Sequence, residues 1–211
     1  MTKKQRVNYI IGKLEKEYPV AQCSLQTLNA FELLVATRLS AQCTDIRVNM
    51  VTPKLFERLP TPKDFAAADT EEIEELIKTC GLYKTKARDI KAMCIMLLER
   101  YNAQVPDSIE ELTALPGVGR KTANLIMGEV FKKPAVITDT HCIRLSNRLS
   151  LVESDNPLKI ENALRELLPP DKSTDFCHRL VQHGRAVCTA RNPACDKCVL
   201  NDICIQAQKG L

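Results

Sequence analysis

Several features are missing from this 211-residue sequence, and each absence closes off a class of protein. No apolar run reaches membrane-spanning length, so no bilayer crossing is expected. The opening MTKKQRVNYIIGKLEKEYP has no apolar core of signal length and passes straight into an amphipathic pattern, so no secretory signal is expected and the setting should be cytoplasmic. No stretch alternates apolar and polar residues long enough to build a sheet. Gly/Ser-rich linkers and fixed-period repeats are also absent. What is left is an all-α chain of many short helices.

The residues that are present describe a folded protein. Hydrophobic residues make up 45% and charged residues 27%, which suits a globular chain with a real core. The net charge of +4 is modest but unevenly spread. Six acids and no base lie between Asp64 and Glu75, whereas six bases face two acids between Leu115 and Arg148. Such a chain suits one face turned to a polyanion and another to water. Composition places no domain boundary; the best local break is Lys132-Lys133-Pro134.

Helical spacing is clear at Val7, Ile10, Ile11, Leu14 and Tyr18, stopped by Pro19. Asn29 and Glu32 start a second helix, apolar on nearly every side and therefore expected in the middle of a domain. Thr44 or Asp45 caps a third, in which Pro53 should cause a kink or an early stop. Further helices are expected from Asp69 or Thr70 to Thr79, from Lys84 to Arg100, from Asn156-Pro157, and from Ser173 toward Val187. Thr138-Asp139-Thr140 reads as another start, after an extended Ala135-Val136-Ile137.

The most informative stretch is LPGVGRKTANLIMGEVF, residues 115–131. Ser108 with Glu111 caps a short helix before it, and Ala123, Ile126, Met127, Val130 and Phe131 line one face of a helix after it. Gly117 and Gly119 give the turn its backbone freedom, so the unit is helix, glycine hairpin, helix. Such a turn presents N–H groups at a helix N-terminus, where a phosphate oxygen fits. Arg120 and Lys121 follow at once, where the helix dipole disfavours a cation. Lys121 is thus a candidate amine nucleophile, or alternatively a phosphate-binding lysine.

Ten cysteines in a chain without a secretory signal argue for thiols or a metal centre over disulfides. Cys23, Cys43, Cys80, Cys94, Cys142 and Cys177 are dispersed and read as small buried hydrophobes. Cys188, Cys195, Cys198 and Cys204 fall within 17 residues. Zinc usually takes two C-x-x-C pairs, and only Cys195 and Cys198 form one, so an iron–sulfur cluster is favoured. It would stiffen the loop and display Arg185, Arg191 and Lys197 on a rigid surface.

LPGVGRKTA, the downstream TDTH and the C-x6-C-x2-C-x5-C tail resemble, in that order and spacing, the endonuclease III family of helix-hairpin-helix DNA glycosylases. SAQCTD and GLYKTKA are similar to two loop segments of that family, so the resemblance covers nearly the whole chain. It implies two helical lobes with double-stranded DNA held between them. A six-helix lobe of residues 22–133 would contain the hairpin, and residues 1–21 with 134–211 would form the second lobe, carrying a 4Fe-4S cluster in loop 188–204. The resemblance implies that Lys121 and Asp139 are the catalytic pair and that Cys188, Cys195, Cys198 and Cys204 are the cluster ligands. By the same resemblance Gln42 fills the space of an extruded base and Leu82 wedges the opposite strand. Read without the resemblance, Gln42 is a loop polar residue, Leu82 a buried anchor, and Asp139 a helix cap.

Gly117, Val118 and Gly119 would meet phosphate through their N–H groups, with Arg120, His141, Arg144, Arg185 and Arg191 as further DNA contacts. The implied activity is a base-excision-repair glycosylase with abasic-site lyase action on oxidised pyrimidines, by a monomer. A mismatched-adenine glycosylase usually lacks the lysine and carries a further C-terminal domain, whereas this sequence ends at Leu211. A non-catalytic iron–sulfur DNA-binding module is the third reading. Thr138, Asn192, Pro53 and Cys43 depart from the family pattern, and bear on lesion choice and DNA affinity.

Overall fold

The computed structural model describes residues 1–208. Among them the chain forms α-helices and short 3₁₀ turns, with no strand. The helices are α1 (Lys3–Glu17), α2 (Ala30–Leu39), α3 (Asp45–Arg58), α4 (Pro62–Ala67), α5 (Thr70–Ile77), α6 (Tyr83–Tyr101), α7 (Ile109–Ala114), α8 (Arg120–Glu129), α9 (Thr140–Arg148), α10 (Pro157–Leu167), α11 (Ser173–Ala186) and α12 (Ile205–Gln208). They fall into two compact units, Cys23–Lys132 and Met1–Gln22 with Lys133–Leu211.

The unit Cys23–Lys132 is built around α2. Asn29 caps this helix by accepting the Glu32 N–H at 2.9 Å, and Leu33, Leu34, Val35, Ala36, Thr37 and Leu39 are buried along it. Helices α3, α6 and α8 pack on it, while α4 and α5 cover the rest of α6. Full burial of a side chain such as Leu34 stabilises by roughly 1.5–3 kcal/mol, so α2 holds this unit together. Helix α3 continues through Pro53 to Arg58, so of the expected kink or early stop the early stop does not occur. Proline removes one N–H, but Thr44 fixes the start and buried Val48, Thr52 and Leu55 hold the helix on both sides. Helix α4, which the periodicity had not suggested, is only six residues long and depends on a reciprocal Thr61–Asp64 cap and buried Phe65.

In the other unit α1 buries Val7, Ile10, Ile11 and Leu14 and packs on α10 and α11. Residues 135–137 cross it extended and buried with no strand partner. Their N–H groups turn to α11 instead: Ala135 donates to Ser173 Oγ at 3.1 Å and Ile137 to Cys177 Sγ at 3.3 Å. This anchored segment delivers Asp139 to the start of α9, where its side chain accepts the Cys142 N–H. Glu161 is buried on α10 and paired with Arg165 at 3.1 Å.

Candidate active site and iron–sulfur loop

The glycine hairpin sits between α7 and α8. Ser108 caps α7 by accepting the Glu111 N–H at 3.2 Å, and buried Leu112, Leu115 and Val118 pin the turn to the core. Gly117 has φ +74°, and a Cβ there would lie 2.7 Å from Arg38 Nε. Arg38 cannot give way freely, because Asp89 holds its guanidinium at 2.7 Å. Gly119 is different: its φ is −95°, and a Cβ would meet nothing within 4 Å. Backbone freedom is therefore needed at Gly117, whereas Gly119 leaves open space before the first turn of α8. No side chain caps that turn. The Val118 N–H is donated within the turn to the Leu115 carbonyl at 3.1 Å, so Val118 serves as an apolar anchor and its N–H is already engaged.

Arg120 and Lys121 are exposed on the first turn of α8. Lys121 acts on the Cys23 thiol, which also feels the carboxylates of Glu129 and Asp45 and is pushed above its ordinary value chiefly by burial. Cys23 lies in a loop and is half-exposed.

Gln42 and Leu82 are both exposed and both left-handed, with φ of 53° and 47°. Holding a non-glycine residue there costs about 1–3 kcal/mol, which the surrounding structure must offset. The lysine that does so was not legible in the sequence. Lys86 is completely buried, and its amine donates to the Leu39 carbonyl at 2.7 Å and the Cys80 carbonyl at 2.8 Å. It thereby ties the end of α2, before Gln42, to the turn before Leu82. Burial pushes the Lys86 ammonium below its ordinary value. The expectation of Leu82 as a buried anchor is corrected, since it is 56% exposed. Gly81 at φ +66° followed by a left-handed Leu82 takes the chain out of the core before α6 begins.

Asp139 is half-buried, and its Oδ1 accepts the Cys142 N–H at 2.7 Å, leaving Oδ2 for other work. The residue before it, Thr138, is buried with its hydroxyl unpartnered among the described residues. His141 Nδ1 lies 3.2 Å from Arg144 Nη2. Arg144 also donates through Nη2 to the Gly184 and Cys188 carbonyls, at 3.1 and 2.9 Å, and through Nε to Cys188. Through Nε and Nη2, Arg144 binds α9 to the end of α11 and the start of the cysteine loop. A Cβ on Gly184 would fall 2.6 Å from His141 Nδ1, so the two helices meet closely here.

Arg148, absent from the sequence-derived set, clasps the cysteine loop. Its guanidinium donates to Cys188 Sγ at 3.2 Å and to the Thr189 and Ala190 carbonyls, each at 2.8 Å. Buried His183 bridges the Tyr18 hydroxyl at 3.0 Å and Cys198 Sγ at 3.3 Å, and burial pushes its pKa down. Cys188, Cys195, Cys198 and Cys204 line one cavity with Arg148 and Val187. Among the described residues no three such donors converge on a point where one ion could sit. Four thiols set around a cavity fit a polynuclear cluster better than a single zinc. Arg185, Arg191 and Lys197 are exposed around this loop.

A family model described as the HhH-GPD superfamily base excision DNA repair protein matches residues 35–170. The chain belongs to this superfamily. A second model, the iron–sulfur binding domain of endonuclease III, matches residues 188–204, and the cofactor is a 4Fe-4S cluster. Endonuclease III of Synechocystis sp. is 47% identical over 98% of this chain and 95% of its own. Endonuclease III of Escherichia coli K12 is 39% identical over 99% of both chains. A solved trapped endonuclease III–DNA covalent intermediate superimposes with TM-score 0.94 at 43% identity, covering 99% of both chains. A thermostable thymine-DNA glycosylase shares the fold, with TM-score 0.87 at 23% identity. The protein is a DNA-binding base-excision-repair enzyme, and no described helix is long and apolar enough to cross a membrane.

Proposed function

We propose that the protein removes oxidised pyrimidines from duplex DNA and then cuts the strand, using Lys121 as nucleophile and Asp139 as its acidic partner. The observation that carries this reading is Lys121 itself, exposed on the uncapped first turn of α8 in a chain similar throughout to a trapped covalent endonuclease III–DNA intermediate. Gln42 and Leu82, already turned out to solvent, enter the duplex as the damaged base leaves the stack, a step that costs a few kcal/mol. The first turn of α8 takes a backbone phosphate, with Gly119 giving it room.

Departure of the base builds positive charge on the sugar, which the Asp139 carboxylate stabilises. The Lys121 amine bonds to the anomeric carbon as the base is expelled, and the sugar ring opens to a protonated Schiff base. Loss of a proton from the neighbouring sugar carbon then eliminates the 3′ phosphate and breaks the strand. Water releases the lysine.

Cys188, Cys195, Cys198 and Cys204 hold the cluster, which when bound cross-links the loop through its thiolates. Arg148 and His183 brace that loop, and Arg185 and Arg191 present their charge to DNA. The enzyme acts as a monomer, in the cytoplasm. Mismatched-adenine excision without strand cleavage fits a lysine at this position poorly.

A panel of duplexes with one lesion each tests the reading, with base release and nicking scored separately. Release and nicking should rise together on oxidised pyrimidines. Release confined to mismatched adenine, with no nick, would contradict it.

A further inference from the structure

Gln42 and Leu82 lie far apart in sequence, yet one side chain meets the backbone near each of them. Lys86, on α6 in the unit Cys23–Lys132, is 0% exposed. Its Nζ donates to the Leu39 carbonyl at 2.7 Å and to the Cys80 carbonyl at 2.8 Å. Leu39 is the last residue of α2, so its carbonyl belongs to a helix end that lacks intrahelical partners and attracts a cation. Cys80 is the last residue of the 3₁₀ turn before Gly81 and Leu82. The Lys86 N–H also donates to the Leu82 carbonyl at 3.0 Å, so Lys86 holds the chain at Leu82 and again just before it. On the other segment the Cys43 N–H closes on the Ser40 carbonyl at 3.1 Å, around Gln42. Short, bonded stretches of backbone thus run from the ammonium to each left-handed residue.

Burying an ammonium is costly, and an apolar chain of similar shape would fill the core as well or better. What the ammonium adds is a fixed distance between two backbone segments. We propose that Lys86 is a positioning residue for base extrusion: it couples the Gln42 and Leu82 segments so that both side chains enter the duplex as one unit. Being wholly buried, it reaches neither DNA nor the reacting atoms, and it acts through the Leu39 and Cys80 carbonyls. Gln42 and Leu82 each achieve little alone, because the base returns to the stack unless the gap is filled as it opens. Without the ammonium the two segments would settle independently, and extrusion would suffer while the Lys121 chemistry would not. The inference rests on the entry of Gln42 and Leu82 proposed above. Lys91 offers a contrast on the same helix: it donates to the Ala68 carbonyl at 2.7 Å, at the end of α4, which carries neither segment.

The test uses the holoprotein and reads opening and chemistry separately. With K121Q protein, 2-aminopurine opposite an oxidised pyrimidine should brighten as Leu82 parts the strand. Adding K86M, which keeps the chain length without the charge, should slow or shrink that rise about tenfold or more, as misplacement does. K86M alone should excise the same base about tenfold more slowly or worse. It should still cut a preformed abasic site at close to the parent rate. K91M should match the parent on both substrates. Equal slowing of K86M on both substrates would overturn the proposal, as would K86M at full rate or the same defect in K91M. If K86M does not fold, Q42A and L82A decide, since both residues are exposed. Residues that act as a unit slow excision together by less than the product of their separate factors. A full product would overturn the coupling. If the parent protein releases no base from any duplex, the proposed function fails, while fluorescence with K121Q still reads whether Lys86 governs opening.

Discussion

Thr138 buries a hydroxyl that finds no hydrogen-bond partner among the described residues, immediately before the proposed catalytic carboxylate. Leaving a buried donor unpaired costs about 1–3 kcal/mol, whereas an apolar group of the same shape costs nothing. T138V should therefore stabilise the protein by about 1 kcal/mol, read as a higher urea midpoint at unchanged slope. A lower midpoint would mean that the hydroxyl has a partner in solution. Asp139 does two jobs with two oxygens, since Oδ1 accepts the Cys142 N–H and caps α9. D139N keeps an acceptor for that cap, so it should fold normally and lose excision by orders of magnitude. Loss of stability comparable to a missing cap, about 1 kcal/mol, would show that the amide does not replace the carboxylate there.

At the scale of the element, the hairpin makes its two glycines unequal. G117A forces a side chain into φ +74° and against Arg38 Nε at 2.7 Å, so it should destabilise by about 1–3 kcal/mol. G119A has an ordinary φ and open space, so stability should hold while DNA affinity falls, because the added methyl stands where the phosphate approaches. Equal destabilisation by both substitutions would contradict this division.

The hairpin was legible in the sequence because its chemistry is local: a proline, two glycines and a capping serine act within a few residues. So were the caps at Asn29 and Asn156, while at α3 the sequence left Thr44 and Asp45 open and the structure gives Thr44. Continuation of α3 through Pro53 was not, because burial of neighbouring residues from elsewhere in the fold decided it. Arg144 shows the same limit at a site. The carbonyls that hold its guanidinium, at Gly184 and Cys188, lie about 40 positions away. Lys86 could not be told from any surface lysine until its two carbonyl partners were placed.

For the molecule as a whole, the four-cysteine loop predicts a brown protein with broad visible absorption. A colourless preparation with one zinc per chain would contradict the cluster. Alkali should also unfold the protein in a defined window. Burial pushes the Cys80 thiol from its ordinary 9.0 to about 11, so the folded chain keeps a proton that the unfolded chain has released. That contribution is intact below pH 9 and is lost as pH rises toward 11. The urea midpoint should fall across this range, with a shallower slope in C80A than in the parent. An unchanged slope in C80A would assign the loss to other groups, such as Tyr18, which burial pushes to about 12.

The most direct measurement of the central claim is borohydride trapping on a duplex with one oxidised pyrimidine. The parent protein should yield a covalent protein–DNA adduct whose modified peptide contains Lys121. K121Q should give no adduct and no nick while still binding the duplex. An adduct that persists in K121Q, or excision there at the parent rate, would contradict the account.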